Sequence, residues 1–213
     1  RWVLPRGRFG SLDARVNRQE RGSGHAVLQP GPRRAPERAS SAGKPLVALL
    51  EPAAKAGLEL TVAAIRALAQ LEAADAVAPL ARLAGTPAVH PNIRLEAVKA
   101  LGSMRAADGL ATVQDLGTDE WPELRAAAFR AAAAIDQERF MIVLAGLEPD
   151  RHWRVRAALA ETLGTLPAEQ ATDRLRAMLQ DEDKRVIPAV LSSLALLKAS
   201  DLRTVLVQRL DDP

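Results

Sequence analysis

From Pro45 onward, apolar residues recur at one helical spacing, and the polar residues between them recur with it. The clearest stretch is residues 150–166, DRHWRVRAALAETLGTL, in which Val155, Leu159, Leu163 and Leu166 stand four, four and three positions apart. That spacing is one face of an α-helix. A shift of 31 residues toward the N-terminus brings Asp119, Leu124, Arg125, Ala128 and Ala132 into the same places. The same shift the other way brings Asp181, Val186, Val190 and Leu194 there. Four columns run through the chain at this interval. They are Ile93, Leu124, Val155 and Val186; Val98, Phe129, Ala160 and Leu191; Leu101, Ala132, Leu163 and Leu194; and, in the partner helix, Val113, Leu144, Leu175 and Leu206. Where a column shrinks to Ala132, Phe129 and Phe140 of the same unit are large, which keeps a close-packed interior filled.

The pattern predicts a short helix over 45–51 that ends near Pro52, a turn over 53–58 containing Gly57, and then five pairs. The pairs are 59–71 with 76–84, 93–104 with 109–116, 123–135 with 137–147, 153–164 with 168–179, and 185–198 with 201–210. Asp75, Asn92 and Asp108 stand just before predicted helices and are the expected N-caps, since a side-chain oxygen takes up an orphan backbone N–H. Pro79, Pro122 and Pro188 fall in first turns, where a missing donor costs least. Helix pairs repeating at about 30 residues stack side by side, so the expected fold is all-α: an α-solenoid of about five pairs. Its far end keeps an apolar line at Leu202, Val205, Leu206 and Leu210, and Asp212 falls where a further turn would open. The expectation is therefore a part of a longer array, or an end covered by another domain.

The columns resemble bacterial HEAT repeats, including the short HEAT-like repeats of the phycobilin lyase class. The matching residues are Asp119, Asp150, Asp181 and Asp212 in the turns, Arg94, Arg125 and Arg156 in the first helices, and Leu101-Gly102 and Leu163-Gly164 within them. The likeness covers residues 60–213 well and 45–59 in part. It breaks where Ile187 replaces the Arg and where Ala132-Ala133 replaces Leu-Gly. The resemblance implies the fold and leaves the role open, because such arrays host many roles. Some similar arrays precede a peptidyl-prolyl isomerase domain, and no such catalytic domain is visible in this sequence.

Composition changes the picture at the N-terminus. Residues 1–44 are rich in Gly, Pro, Arg and Ser and hold no period, so they read as a disordered basic tail ahead of an array over 45–213. That tail is a solvated linker, or a basic arm for nucleic acid or an acidic partner. Text of this kind also arises from GC-rich DNA read out of frame. Ten Lys and Arg fall in residues 1–44 against Asp13, Glu20 and Glu37, which leaves nineteen basic and twenty-three acidic residues on 45–213. A mildly acidic array is a poor ligand for a phosphate backbone, so nucleic acid is not expected on it. A base-excision reading would need a basic groove. The apolar runs are too short to span a membrane. The absence of Cys excludes disulfides, a thiol nucleophile and cysteine metal sites. It leaves the compartment open, with the cytoplasm as the working expectation.

Candidate chemistry is sparse. His25, His90 and His152 lack the i,i+4 or Cys/His spacing of a metal site, and no cofactor is expected. The turn Asp and helix Arg columns would serve the repeat itself: Asp tying up turn donors, Arg linking neighbouring units. Trp121, His152 and Trp153 sit in adjacent turns and form a candidate edge that grips a peptide or a neighbouring domain. The plainer reading is that each indole plugs the gap between helix pairs. Arg174, Arg176, Arg203 and Arg209 project from second helices, interleaved with Glu169, Asp173, Asp201 and Gln208, and form a candidate concave face. Mixed signs of this kind suit protein contact and solubility. The expectation is a non-catalytic scaffold for a protein partner or for a missing domain of the same chain, with its oligomeric state open. The alternatives are a subunit or domain of an enzyme, bilin-lyase-like or isomerase-attached, and nucleic-acid binding through the tail.

Overall fold

The computed structural model describes the backbone over residues 37–50 and 57–210, and side chains over 43–50 and 57–207. Among the described residues all regular structure is helical. In chain order the α-helices are α1 (Glu37–Ala48), α2 (Leu58–Gln70), α3 (Val77–Gly85), α4 (Pro91–Ser103), α5 (Leu110–Asp115) and α6 (Pro122–Ile135). They continue with α7 (Gln137–Ala145), α8 (Trp153–Leu163), α9 (Ala168–Met178), α10 (Ile187–Leu196) and α11 (Leu202–Leu210). Short 3-10 turns over 74–76 and 107–109 lead into α3 and α5, and a third over 116–118 follows α5. The even-numbered helices α2 to α10 pack on one another in sequence as one layer; α6, α8 and α10 each contact the helix that follows, and α3 and α5 pack on α4 and α6. Five pairs stacked in this way form the expected α-solenoid. Helix α1 packs on α2 and on the turn at 74–76.

The buried positions are the period-31 columns. Leu124, Val155, Val186, Leu101, Leu163, Val113 and Leu175 are fully buried, because each falls on the inward stripe of its helix or, for Val186, at the cap that leads into it. Phe129 and Phe140 meet edge to face at 6.4 Å and fill the volume that Ala132 leaves. Two contacts allow no side chain. A Cβ on Gly102 would lie 2.8 Å from the Ala131 Cα, and a Cβ on Gly164 would lie 2.7 Å from the Ser193 Cβ. The Leu-Gly pairs thus mark where successive first helices come closest. The columns fade at the ends: Ile93 and Leu191 are half-buried, and Leu206 is exposed.

Several local expectations are corrected. Helix α1 begins at Glu37 and carries Pro45 inside it, ahead of the start expected at Pro45. The remainder of the expected tail, and the turn at 53–56, lie outside the described residues. Asp75 and Asp108 do not cap α3 and α5; each sits within a 3-10 turn whose N-cap is Ala73 or Ala106. The preceding helices end in left-handed residues, Glu72 at φ 48° and Arg105 at φ 49°, which start the turn earlier than an Asp cap would. Asn92 does not cap α4; the cap is His90, whose Nδ1 accepts the Asn92 N–H, because Pro91 already occupies the first helical position. Pro79, Pro122 and Pro188 do lie in first turns.

Candidate interaction surface

The turn between repeats is built by the Asp and Arg columns. The carboxylate of Asp119 accepts the Trp121 N–H at 2.9 Å, that of Asp150 accepts the His152 N–H at 2.8 Å, and that of Asp181 accepts the Asp183 N–H at 2.9 Å. Each Asp therefore closes the loop just before a first helix, as short acceptors do in turns. Its other bonds go to an Arg 25 positions earlier. Arg94 reaches Asp119 at 2.6 Å. Arg125 grips Asp150 with two donors at 2.7 and 2.8 Å, and Arg156 grips Asp181 in the same way. The free donors take up backbone carbonyls: Ala84 for Arg94, Asp119 and Glu120 for Arg125, Asp150 for Arg156. All three Arg residues are buried, and their carboxylate and carbonyl partners, forked for Arg125 and Arg156, are what makes their burial tolerable.

Electrostatics follow from that geometry. Burial pushes the Asp150 carboxyl up, but Arg125 and the His152 N–H outweigh it and hold it below the ordinary carboxylate value. Arg156 holds the Asp181 carboxyl down against the opposing effect of burial, with help from the Asp183 N–H. Outside the ladder, Arg185 forks onto Asp183 and holds its carboxyl down to about 2.

The edge residues sit on these turns. Trp121 is the N-cap of α6, His152 is the N-cap of α8, and Trp153 opens α8. The two indoles are half-buried and pack against the core on one side. The His152 Nδ1 accepts the Arg154 N–H, and its ring lies nearly parallel to Trp153 with centroids 6.3 Å apart. The Arg185 guanidinium stands 4.4 Å from the Trp153 ring centroid and that of Arg154 stands 5.4 Å away. Both cations are tethered, Arg185 by Asp183 and Arg154 by Glu123 at 3.0 Å. The result is a strip of alternating carboxylate, guanidinium and indole that crosses three repeats.

Among the second-helix arginines, Arg176 is committed within the chain: it forks onto Asp201 at 2.9 and 3.0 Å and also bonds Asp173. Arg174 is half-buried and makes a single long hydrogen bond, 3.5 Å, to the Leu147 carbonyl. Arg203 is exposed, and the Arg209 side chain lies outside the described residues. Arg174 lines a recess of about 780 Å³ between the ends of α7 and α9. His25 also lies outside the described residues. Among the described residues, no group of three or more His, Asp or Glu is placed to hold a metal ion.

The profile of HEAT repeats matches residues 44–139 and 141–213. The chain is a HEAT-repeat protein. Such repeats generally serve as protein-interaction scaffolds and are typically non-catalytic as a family. No curated protein matches the chain. No described helix of this HEAT array is long and apolar enough to cross a membrane.

The structure brings the sequence candidates together unevenly. Asp119, Asp150, Asp181, Arg94, Arg125 and Arg156 form one continuous ladder along the turns of the HEAT array. His152 and Trp153 meet, and Trp121 stands one repeat back in the position that His152 occupies. Arg174 and Arg176 point to different work. Sequence reasoning missed Arg185 and Arg154, although both follow the turn Asp at the same distance as Glu123. It also missed the recess, whose trace in the text is Gly146 and Pro149 at the end of a predicted helix.

Proposed function

We propose that this HEAT array is a non-catalytic scaffold that binds a protein partner, or a further domain of the same polypeptide, through the edge bearing Trp121, His152 and Trp153. The observation that carries the reading is the Trp153 indole, half-exposed and framed by two tethered guanidinium groups. Trp and Arg dominate the binding energy of protein interfaces. Groups already held in place lose little freedom on binding, so the contact energy is not spent on ordering them. The ladder beneath supplies the rigid base. A mixed-sign second-helix face, with Arg203 exposed on it, is part of the same proposal.

The test compares the wild-type chain and Trp153→Ala, immobilised and exposed to extract of the source cells, with circular dichroism confirming equal helix content. The expected result is a stoichiometric protein retained by the wild type and lost from the variant. Retention of the same proteins by both would overturn the edge, and turnover of a substrate by the purified chain unaided would overturn the non-catalytic role.

A further inference from the structure

The ends of α7 and α9 bound an open recess. After α5 the chain continues into a 3-10 turn that buries Leu116, and after α9 it buries Leu179. After α7 the helix stops at Ala145, where Gly146 follows and Pro149 withholds a backbone donor. Glu148 stands one 31-residue step before Leu179 and is exposed where Leu179 is buried. The recess at this helix end measures about 780 Å³, within the range of ligand pockets.

Its lining has a specific chemistry. Leu147, Leu159 and Met178 supply apolar wall. Two lining carboxylates are neutralised, Asp150 by Arg125 and Asp181 by Arg156. Arg156 is itself used up by Asp181 and the Asp150 carbonyl. Arg174 is different: a guanidinium has five donors, and this one makes the single long bond to Leu147. Arg151 adds a second cation at the rim. Glu148 and Glu182, both exposed, also line it and disfavour an extended acidic tract. One carboxylate on an apolar body fits that arrangement. A chain end carries both on one carbon and leaves no further chain to route past the rim acids.

We infer that the recess between α7 and α9 receives the carboxyl-terminal residue of a partner protein, its free carboxylate on Arg174 and its apolar side chain against Leu147, Leu159 and Met178. Free-carboxylate capture is a recurring mode of peptide recognition. The inference rests on the scaffold reading but uses a different surface from the Trp153 edge.

The test uses the three methionines, Met104, Met141 and Met178, as reporters in chain labelled with methyl-13C methionine. N-acetyl-leucine is the probe and N-acetyl-leucinamide is its uncharged counterpart. The expected result is a saturable shift of Met178 with Met104 unmoved, and binding of the amide weaker by about tenfold or more, since it forfeits the charge-assisted bonds. Arg174→Gln is expected to weaken the acid by a similar factor. An unmoved Met178, equal titrations by acid and amide, or indifference to Arg174→Gln overturns the proposal. Probe binding by Trp153→Ala that equals wild type keeps the two readings separable: capture through the edge fails or holds independently of the recess.

Discussion

Two ion pairs in this array have nearly the same geometry and different surroundings. Arg156 forks onto Asp181 at 2.7 and 2.8 Å with side chains 9% and 8% exposed. Arg176 forks onto Asp201 at 2.9 and 3.0 Å, also 25 positions on, with side chains 40% and 39% exposed. The first belongs to the ladder through the middle repeats. The second ties α9 to α11 in the last repeats, where Ile187 replaces the ladder Arg and Leu196, Leu206 and Val207 are exposed. Distance alone would rank the pairs together. Burial separates them, because a partner removed from a buried pair leaves a charge that water cannot reach, whereas an exposed pair is already half-solvated.

The sharpest way to break the comparison is to cut both kinds of pair. Arg125→Ala, in the ladder, is expected to lower unfolding free energy by about 3–5 kcal/mol, whereas Arg176→Ala should cost far less. Urea unfolding followed by circular dichroism reads both, and equal losses would show that burial does not set the difference. The same contrast holds in the apolar columns. Leu163→Ala is expected to cost about 2–5 kcal/mol, while Leu206→Ala, at a solvated position of the last repeat, should stay within about 0.5 kcal/mol. A close contact gives a third test: Gly164→Ala drives a Cβ into Ser193 and should cost about 1–3 kcal/mol, whereas Gly57→Ala meets nothing within 4 Å and should change little.

Acid gives the smallest and most selective effect. Asp150 and Asp181 have folded values below their unfolded ones, so the stability they contribute is fully present above the ordinary carboxylate range, about pH 4. It is lost as pH falls through their depressed values. The melting temperature is therefore expected to be flat from pH 7 to pH 5 and to fall below about pH 4. Asp150→Asn should lower it at neutral pH and make the acid decline shallower. Parallel declines for variant and wild type would contradict the ladder's role in this response.

Much of this was legible in the text of the chain, and the reasons for the exceptions are physical. Helix pairs, the buried columns and the Asp and Arg positions follow from period and side-chain type, since both act within one or two turns. Caps were less legible. Asp75 and Asp108 have the right chemistry at the wrong place, because left-handed Glu72 and Arg105 end the preceding helices without a glycine to announce it. His90 caps α4 with a ring nitrogen, an acceptor ranked behind Asp and Asn by composition alone. The Trp153 strip was half legible: the indoles stand out, but the cation over the ring comes from Arg185 in the next repeat. The recess was least legible, since its lining comes from two helix ends and the turn between repeats and carries no motif of its own.

The 25-residue reach of each buried tie also bears on how such a chain grows. Every Arg finds its Asp in the next unit and nowhere further along. If residues 119–149 were excised, Asp150 would arrive at the position of Asp119, and Arg94 would face the same carboxylate at the same interval. A tandem duplication of one 31-residue unit would likewise orphan no partner. Insertions or losses of another length between a ladder Arg and its Asp would pull a buried guanidinium and a buried carboxylate apart. The ladder thus acts as a reading frame in three dimensions, admitting changes of length in whole repeats and penalising the rest.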